Sequence, residues 1–278
     1  MTVLAWRTAA AAALGERGNP DAKTDASLFL CSVLAIEPSA LRFFHDRELS
    51  AQQENQLDSM LARRLAGEPE QYIEGCAYFM GLRFRVDRRV LIPRQDTETL
   101  CEAALNELKG LKSPGVLDMC TGSGCLAVAV AKYRPDAQVT ACDISKDALD
   151  VARENARENG VSVEFLQSDG FRALGDRSFS LIVCNPPYLS SKDMLSLQRE
   201  VRCEPCEALI GGEDGLLFYR RFSAEMQPFL APGGAALFEL GAGQAEAVRH
   251  IFAGALPKAE IDTLEDLNRI ERVLRVRL

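Results

Sequence analysis

Apolar and polar positions change their period along this chain, and the changes divide it into three parts. Up to about residue 70 the spacing is helical. Asp25-Ala-Ser-Leu-Phe-Leu-Cys-Ser-Val-Leu34 repeats apolar positions every three to four residues after a Pro-Asp start. A second run from Leu49 to Leu65 does the same and stops at Gly67. Arg63-Arg64 reads as a solvated face of that run. Residues 71–93 then alternate, as in Leu82-Arg-Phe-Arg-Val86, and predict a β-hairpin linker. Residues 94–278 interleave the two periods. Strand-like runs reach Asp118 and Asp143, and others cover Val161–Leu166, Phe179–Cys184, Ala235–Leu240 and Val273–Leu278. Between them, Leu126–Val130 opens one helix, and Ser145 can cap another that stops at Gly160. This alternation predicts an α/β fold: a mostly parallel sheet with helices on both faces, behind a small amino-terminal helical domain (1–70). No internal repeat is visible.

Composition adds limits rather than a function. A chain of 278 residues, 47% hydrophobic and 26% charged, has room for one large domain and a smaller one. The longest apolar run near the start, Ala9–Leu14, is too short to span a bilayer and lacks a signal-peptide layout. The expectation is a cytoplasmic monomer with no membrane partner. Its formal charge of −8 argues against direct nucleic-acid binding, which depends on neutralising phosphates. Arg83–Arg94 is the one dense basic segment. Nine cysteines without an export signal are expected to be reduced. Cys31, Cys101, Cys142 and Cys184 sit in apolar contexts and read as small core residues. Cys203-Glu-Pro-Cys206 has no second cysteine pair, and His45 and His250 are remote, so no metal site is expected.

The candidate chemistry lies at strand ends. Asn185-Pro186-Pro187-Tyr188 directly follows the run Phe179–Cys184. Neither proline can donate to a sheet ladder, so the strand must stop there. The Asn185 side-chain oxygen and the Pro186 carbonyl can each accept one hydrogen of a planar N–H2 group, with Tyr188 walling off a flat face. Pro187 holds Pro186 extended and so fixes where that carbonyl points. A bare Pro-Pro turn closing a buried strand is the competing explanation. Upstream, Val116-Leu-Asp-Met-Cys-Thr-Gly-Ser-Gly-Cys-Leu-Ala127 joins a strand to a helix through a glycine turn. Gly122 and Gly124 permit close backbone approach, and the helix start offers unpaired N–H groups. Asp143, nineteen residues beyond Gly124, suits the paired hydroxyls of a ribose. The same spacing fits a dinucleotide fingerprint, so an NAD enzyme stays open on the glycines alone. Asp118 before the glycines and the acceptors of Asn185-Pro-Pro-Tyr tilt the reading toward a different adenosine cofactor.

Together these residues resemble the class I S-adenosylmethionine-dependent methyltransferases that act on planar nitrogens. The resemblance narrows to the HemK family of release factor protein-glutamine N5-methyltransferases. Leu91-Ile-Pro-Arg-Gln-Asp-Thr-Glu98 is similar to that family's I-P-R-P-E-T-E segment. Gln71-Tyr-Ile-Glu-Gly75, Gly81-Leu82, Glu204-Pro205 with Ala208-Leu209, and Gly211-Gly-Glu-Asp-Gly215 match it in order. So do Phe238-Glu-Leu-Gly241 with Gln244, and Asp266-Leu with Arg272-Val273. The match runs from about residue 70 to the end. Four positions depart from the family: Met119-Cys120 stands for the usual Leu-Gly, Gln95 for a proline, and Gly170 for an aromatic, so that adenine packing there is weaker or falls to Phe171. The resemblance implies that Cys120, Thr121, Gly122, Ser123, Gly124, Asp143, Asp169, Gly170 and Asn185 bind S-adenosylmethionine. It implies that Asn185, Pro186, Pro187 and Tyr188 hold the substrate glutamine, with Asn185, Pro186 and Tyr188 catalytic. Arg94, Thr97 and Glu98 are expected to close over the site, and release factors to be the partner.

A carboxamide nitrogen is a poor nucleophile, so such an enzyme would work chiefly by positioning it against an already activated methyl group. No dedicated base is then required. Three readings remain beside this one. They are transfer to a ribosomal-protein glutamine, transfer to an exocyclic amine of DNA or RNA, and a non-enzymatic binding protein on the same scaffold.

Overall fold

The computed structural model describes all residues, 1–278. Its internal contacts form two units: Met1–Gly75 with Gln198–Cys203, and Cys76–Leu197 with Glu204–Leu278. The first unit is helical, with α1 (Val3–Glu16), α2 (Ala22–Leu34), α3 (Ala51–Leu65) and the short α4 (Glu70–Glu74). Thr2 caps α1 by accepting from the Ala5 N–H at 3.2 Å, and Ser50 with Gln53 forms a reciprocal capping box on α3. Val3, Trp6, Ala10 and Leu14 are the buried face of α1, and the first three pack in one cluster with Phe29, Leu30 and Leu57. Arg63-Arg64 does not form the solvated face expected of it. Arg63 is exposed beside Glu68, as expected, but Arg64 is half-buried, its Nε 2.7 Å from Asp25 and its Nη1 2.9 Å from Glu200. Asp25 is itself buried on α2 and requires a cation, which local spacing cannot reveal.

The second unit begins with a hairpin, β1 (Cys76–Phe79) and β2 (Leu82–Arg85), followed by α5 (Gln95–Glu107), β3 (Gly115–Met119) and α6 (Cys125–Tyr133). Next come β4 (Gln138–Asp143), α7 (Lys146–Glu158), β5 (Glu164–Gln167) and β6 (Phe179–Cys184). After a long irregular stretch the chain continues through α8 (Leu217–Glu225), β7 (Leu230–Glu239), α9 (Ala245–Ala255), β8 (Glu260–Glu265) and β9 (Glu271–Arg277). Seven strands form one sheet in the order β5-β4-β3-β6-β7-β9-β8. The first five are parallel, and β9 runs antiparallel to both its neighbours.

Both faces of the sheet are covered, as the near-continuous apolar strands require. Val116, Leu181, Val183 and Leu237 point into one core with α5, α6 and the hairpin's Phe79 and Phe84. Their chain neighbours Leu117, Ile182, Cys184 and Phe238 point into the other, with Tyr219 and Phe222 of α8 and Phe252 of α9. The division of units differs from the sequence boundaries in detail. Ile73 packs among the first unit's helices, so residues 71–75 go with them, whereas the hairpin's phenylalanines go with the sheet. The apolar run from Val161 pairs only from Glu164 onward. β8, whose residues are mostly half-buried, gave no separate signal. No single helix is long and apolar enough to cross a membrane.

Candidate active site at the carboxyl ends of the parallel strands

Sheet order reverses at β3, with β4 and β5 on one side and β6 and β7 on the other. A ligand crevice forms beyond the strand ends at such a point. A cavity of about 670 Å³ lies there, lined in part by Cys120, Gly122, Asp143, Gly170 and Asn185. Thr121, Ser123, Asp169 and Pro187 also reach it. Gly124, Pro186 and Tyr188 do not line it, although the sequence placed them in the site.

The glycine loop is held from behind. Asp118 is fully buried, and its Oδ2 accepts from the Thr121 hydroxyl at 2.5 Å and the Ala127 N–H at 3.1 Å. Its Oδ1 has no partner, and burial pushes the carboxyl up to about 7. Asp118 thus braces the loop rather than facing a ligand. Gly124 starts α6 at φ +81°, where a Cβ would sit 2.9 Å from that of Ala152. Its role is close packing of α6 on α7. Gly122, by contrast, opens onto free space, leaving room for a ligand against its backbone. Asp143 accepts from the Gly122 N–H through Oδ2 and the Ser145 N–H through Oδ1, both at 2.9 Å. The Ile144 N–H also supports the carboxylate, which leaves part of its acceptor capacity for another donor. Burial raises its pKa against these bonds.

On the β6 side, the Asn185 Nδ2 donates to Thr97 Oγ1 at 3.1 Å. Thr97 is buried on α5 beside Glu239, the last residue of β7. Tyr188 directs its ring into the second core, and its hydroxyl donates to Glu239 Oε1 at 3.4 Å. Burial raises Glu239 to about 7, and its Oε2 has no hydrogen-bond partner. The Pro-Pro turn is locked further on. Leu189 exchanges backbone bonds with Leu209 and Gly211, at 2.9 and 2.8 Å, and Gln244 Nε2 donates to the Tyr188 carbonyl at 2.9 Å. A Cβ on Gly211 would lie 2.6 Å from the Pro187 carbonyl oxygen.

At the other end of the cavity, Asp169 is engaged by Arg221 and by Arg172, which hold its carboxyl below the usual range. The Arg221 guanidinium covers Gly170, with Nη2 2.6 Å from where a Cβ would be. Phe171 does not reach the cavity. It is buried in the second core, stacked on Phe229 at 4.7 Å between ring centroids. Phe218, Arg221 and Phe222 of α8 line the cavity instead, residues that sequence reasoning did not single out.

Other sequence motifs prove to be partners of one another. Glu204 accepts from the Ile92 N–H at 3.1 Å and pairs with Arg94. Arg272 bridges Asp266 at 3.0 Å and Asp96 at 2.9 Å. Glu98 accepts from the Met80 N–H at the hairpin turn rather than facing the cavity, whereas Arg94 and Thr97 line it. Cys203 Sγ lies 3.5 Å from the Gly67 carbonyl, Cys206 is exposed, and no cluster of His, Cys, Asp and Glu could hold a metal.

Comparison with known proteins agrees with this architecture. Residues 5–75 match the PrmC N-terminal domain and residues 96–212 the methyltransferase small domain. Among solved structures, a Pyrococcus furiosus methyltransferase superimposes with TM-score 0.53 at 16% identity, over 82% of this chain and 98% of that one. A Thermus thermophilus 16S rRNA methyltransferase in complex with AdoMet and guanosine does so with TM-score 0.52 at 18% identity, over 73% and 49%. These two establish the class I methyltransferase fold. The release factor glutamine methyltransferase of Geobacter sulfurreducens is 40% identical over 266 residues, spanning 95% of this chain and 93% of its own. That of Burkholderia pseudomallei is 40% identical over 269 residues, spanning 94% of each. With identity at this level running through both units, the chain belongs to the release factor glutamine methyltransferase family.

Proposed function

We propose that this chain transfers the methyl group of S-adenosylmethionine to the side-chain amide nitrogen (N5) of a glutamine in a peptide chain release factor. The observation that carries the proposal is the orientation of Asn185. One of its two amide hydrogens goes to Thr97, Asn185 lines the cavity, and we take its Oδ1 as the acceptor offered there. An acceptor there suits a substrate N–H2. The cavity also fits the donor: Gly122 opens onto free space, and Asp143 retains lone pairs for a ribose diol. Cys120 to Ser123, Asp143 and the Asp169-Gly170 corner would hold it. S-adenosylmethionine supplies a methyl group already activated on a cationic sulfonium.

What falls to the protein is placement. Asn185 Oδ1 accepts one of the amide hydrogens and favours the positive charge that builds on nitrogen during transfer. Pro187 and the Gly211 contact fix that acceptor relative to the glycine loop, which lowers the entropy cost of alignment. The two histidines lie elsewhere, His45 in the first unit and His250 on α9, so the proton passes to solvent without an imidazole. We place the reaction in the cytoplasm and assign the helical unit (1–75) to grip of the protein partner, the chain acting as a monomer.

Labelled S-adenosylmethionine offered to a release factor, a ribosomal protein and total nucleic acid side by side tests the reading. The expected result is label on the release factor, mapped by peptide mass to one glutamine. Label confined to nucleic acid or ribosomal protein would overturn the substrate assignment. Asn185→Ala should lower transfer at least about a hundredfold, the scale of losing one preorganised polar contact in a transition state, and leave the fold intact.

A further inference from the structure

Asn185 can serve as an acceptor only if its side-chain amide is held one way round. A carboxamide that turns over presents N–H2 where oxygen is needed, and two donors then face each other. The residue itself cannot prevent this, because its terminal torsion is broad and nearly two-fold. The restraint comes from behind the cavity. Asn185 Nδ2 donates to Thr97 Oγ1 at 3.1 Å, and Thr97 is buried with 2% of its surface exposed. A hydroxyl that accepts one hydrogen bond has its own proton left to donate. Beside it lies the carboxyl of Glu239, 1% exposed. Tyr188 donates to the same carboxyl through Oε1 at 3.4 Å.

From this arrangement we infer that Thr97 and Glu239 are positioning residues for the transfer: Glu239 draws the Thr97 proton to itself, Thr97 then offers only lone pairs to Asn185, and the Asn185 oxygen is committed to the substrate. The same carboxyl anchors Tyr188, so it holds both ends of the Asn-Pro-Pro-Tyr turn from one buried point. The arrangement accounts for an acid at the end of β7 that is nearly inaccessible and keeps one oxygen unpartnered, a costly choice for packing alone. The charged and titratable groups around it are Asp96 and Arg272, together with Tyr188 and, on its far side, Tyr219, Cys184 and Cys125. None of these replaces the Thr97 contact to Asn185.

The inference rests on the proposed acceptor role of Asn185, so its test needs a readout independent of turnover. The first is the side-chain amide of Asn185 followed by nitrogen–proton NMR in the full chain, its signal identified by its loss in Asn185→Asp. In Thr97→Val, which keeps the shape and removes the acceptor, the two amide protons should move together and exchange faster, and Thr97→Ser should restore them. The second is kinetics on a glutamine-bearing release factor. Thr97→Val should lose about tenfold to a hundredfold in kcat, the scale of a misaligned reacting group, with S-adenosylhomocysteine affinity unchanged. Thr97→Ser, which keeps the hydroxyl, should retain most of it. An unchanged Asn185 amide in Thr97→Val overturns the inference, whatever the activity. So does a loss of kcat that Thr97→Ser fails to restore. If the amide responds as expected but the wild-type chain methylates no glutamine, the positioning stands and the substrate reading falls.

Discussion

Cys120 follows β3 at φ +62°, a left-handed conformation that L side chains adopt at a cost of roughly 1–2 kcal/mol. The family resemblance places a glycine there, the residue that adopts such a φ without strain. An unbranched thiol with a single heavy atom on Cβ is tolerated; two such atoms would crowd the following carbonyl. Cys120→Val should therefore lower stability by about 2 kcal/mol and weaken S-adenosylmethionine binding. Cys120→Gly should bind the cofactor as the parent does. Thermal unfolding with calorimetric titration of both variants checks this, and a stable, tight-binding Val variant would contradict it. Arg221 allows a second comparison at the same scale. Three of its five N–H groups go to Asp169 and Glu225, and the residue lines the cavity. Arg221→Ala should weaken binding of the cofactor product by about tenfold, as loss of a desolvated stacking contact of ~1–2 kcal/mol implies. Equal affinity in titration would show that this wall touches nothing.

Between elements, the Asn-Pro-Pro-Tyr turn is held by segments distant in sequence. Gln244, just before α9, donates to the Tyr188 carbonyl and accepts from the Gly241 N–H at 3.2 Å. Gln244→Leu leaves that carbonyl without its partner, which costs about 1–3 kcal/mol locally. Its kcat should fall more than its cofactor affinity, measured by steady-state kinetics and titration, because the glycine loop belongs to other strands. Elements of this kind were legible in the sequence where one residue type acts locally. Gly122, Asp143 and Asn185 could be placed at strand ends because strands and turns have short-range signatures. The pairs Glu204 with Arg94, Arg272 with Asp96, and Thr97 with Glu239 could not, since period and propensity carry no information on which distant side chains meet. The same limit hid Arg64 against Asp25 and Glu200, and the inward turn of Phe171.

For the whole molecule, buried acids set the response to pH. Asp118, Glu239 and Glu70 are each pushed up to about 7, chiefly by burial. An acid whose folded pKa exceeds its unfolded value binds protons more tightly when folded. The cost of its burial is absent below the unfolded pKa, near 4, and grows as pH rises to about 7. Asp214, held down to about 2 by Arg220, acts oppositely and loses its contribution only in acid. Stability should then be greatest near pH 5 and decline toward pH 8, with Glu239→Gln flattening part of the decline. Melting temperatures across that range check it, and a profile still rising to pH 8 would contradict it.

The composition of the first unit has a consequence for how the chain can be divided. Gln198–Cys203 belongs with Met1–Gly75, and Arg64 holds Glu200 there, although 122 residues of the other unit, Cys76–Leu197, come between. A fragment ending at Gly75 lacks a piece of its own body, and one beginning at Cys76 carries that piece with no helices to receive it. Neither half can be cut out as an uninterrupted stretch of polypeptide, so shuffling these helices onto another catalytic scaffold requires transplanting two segments together.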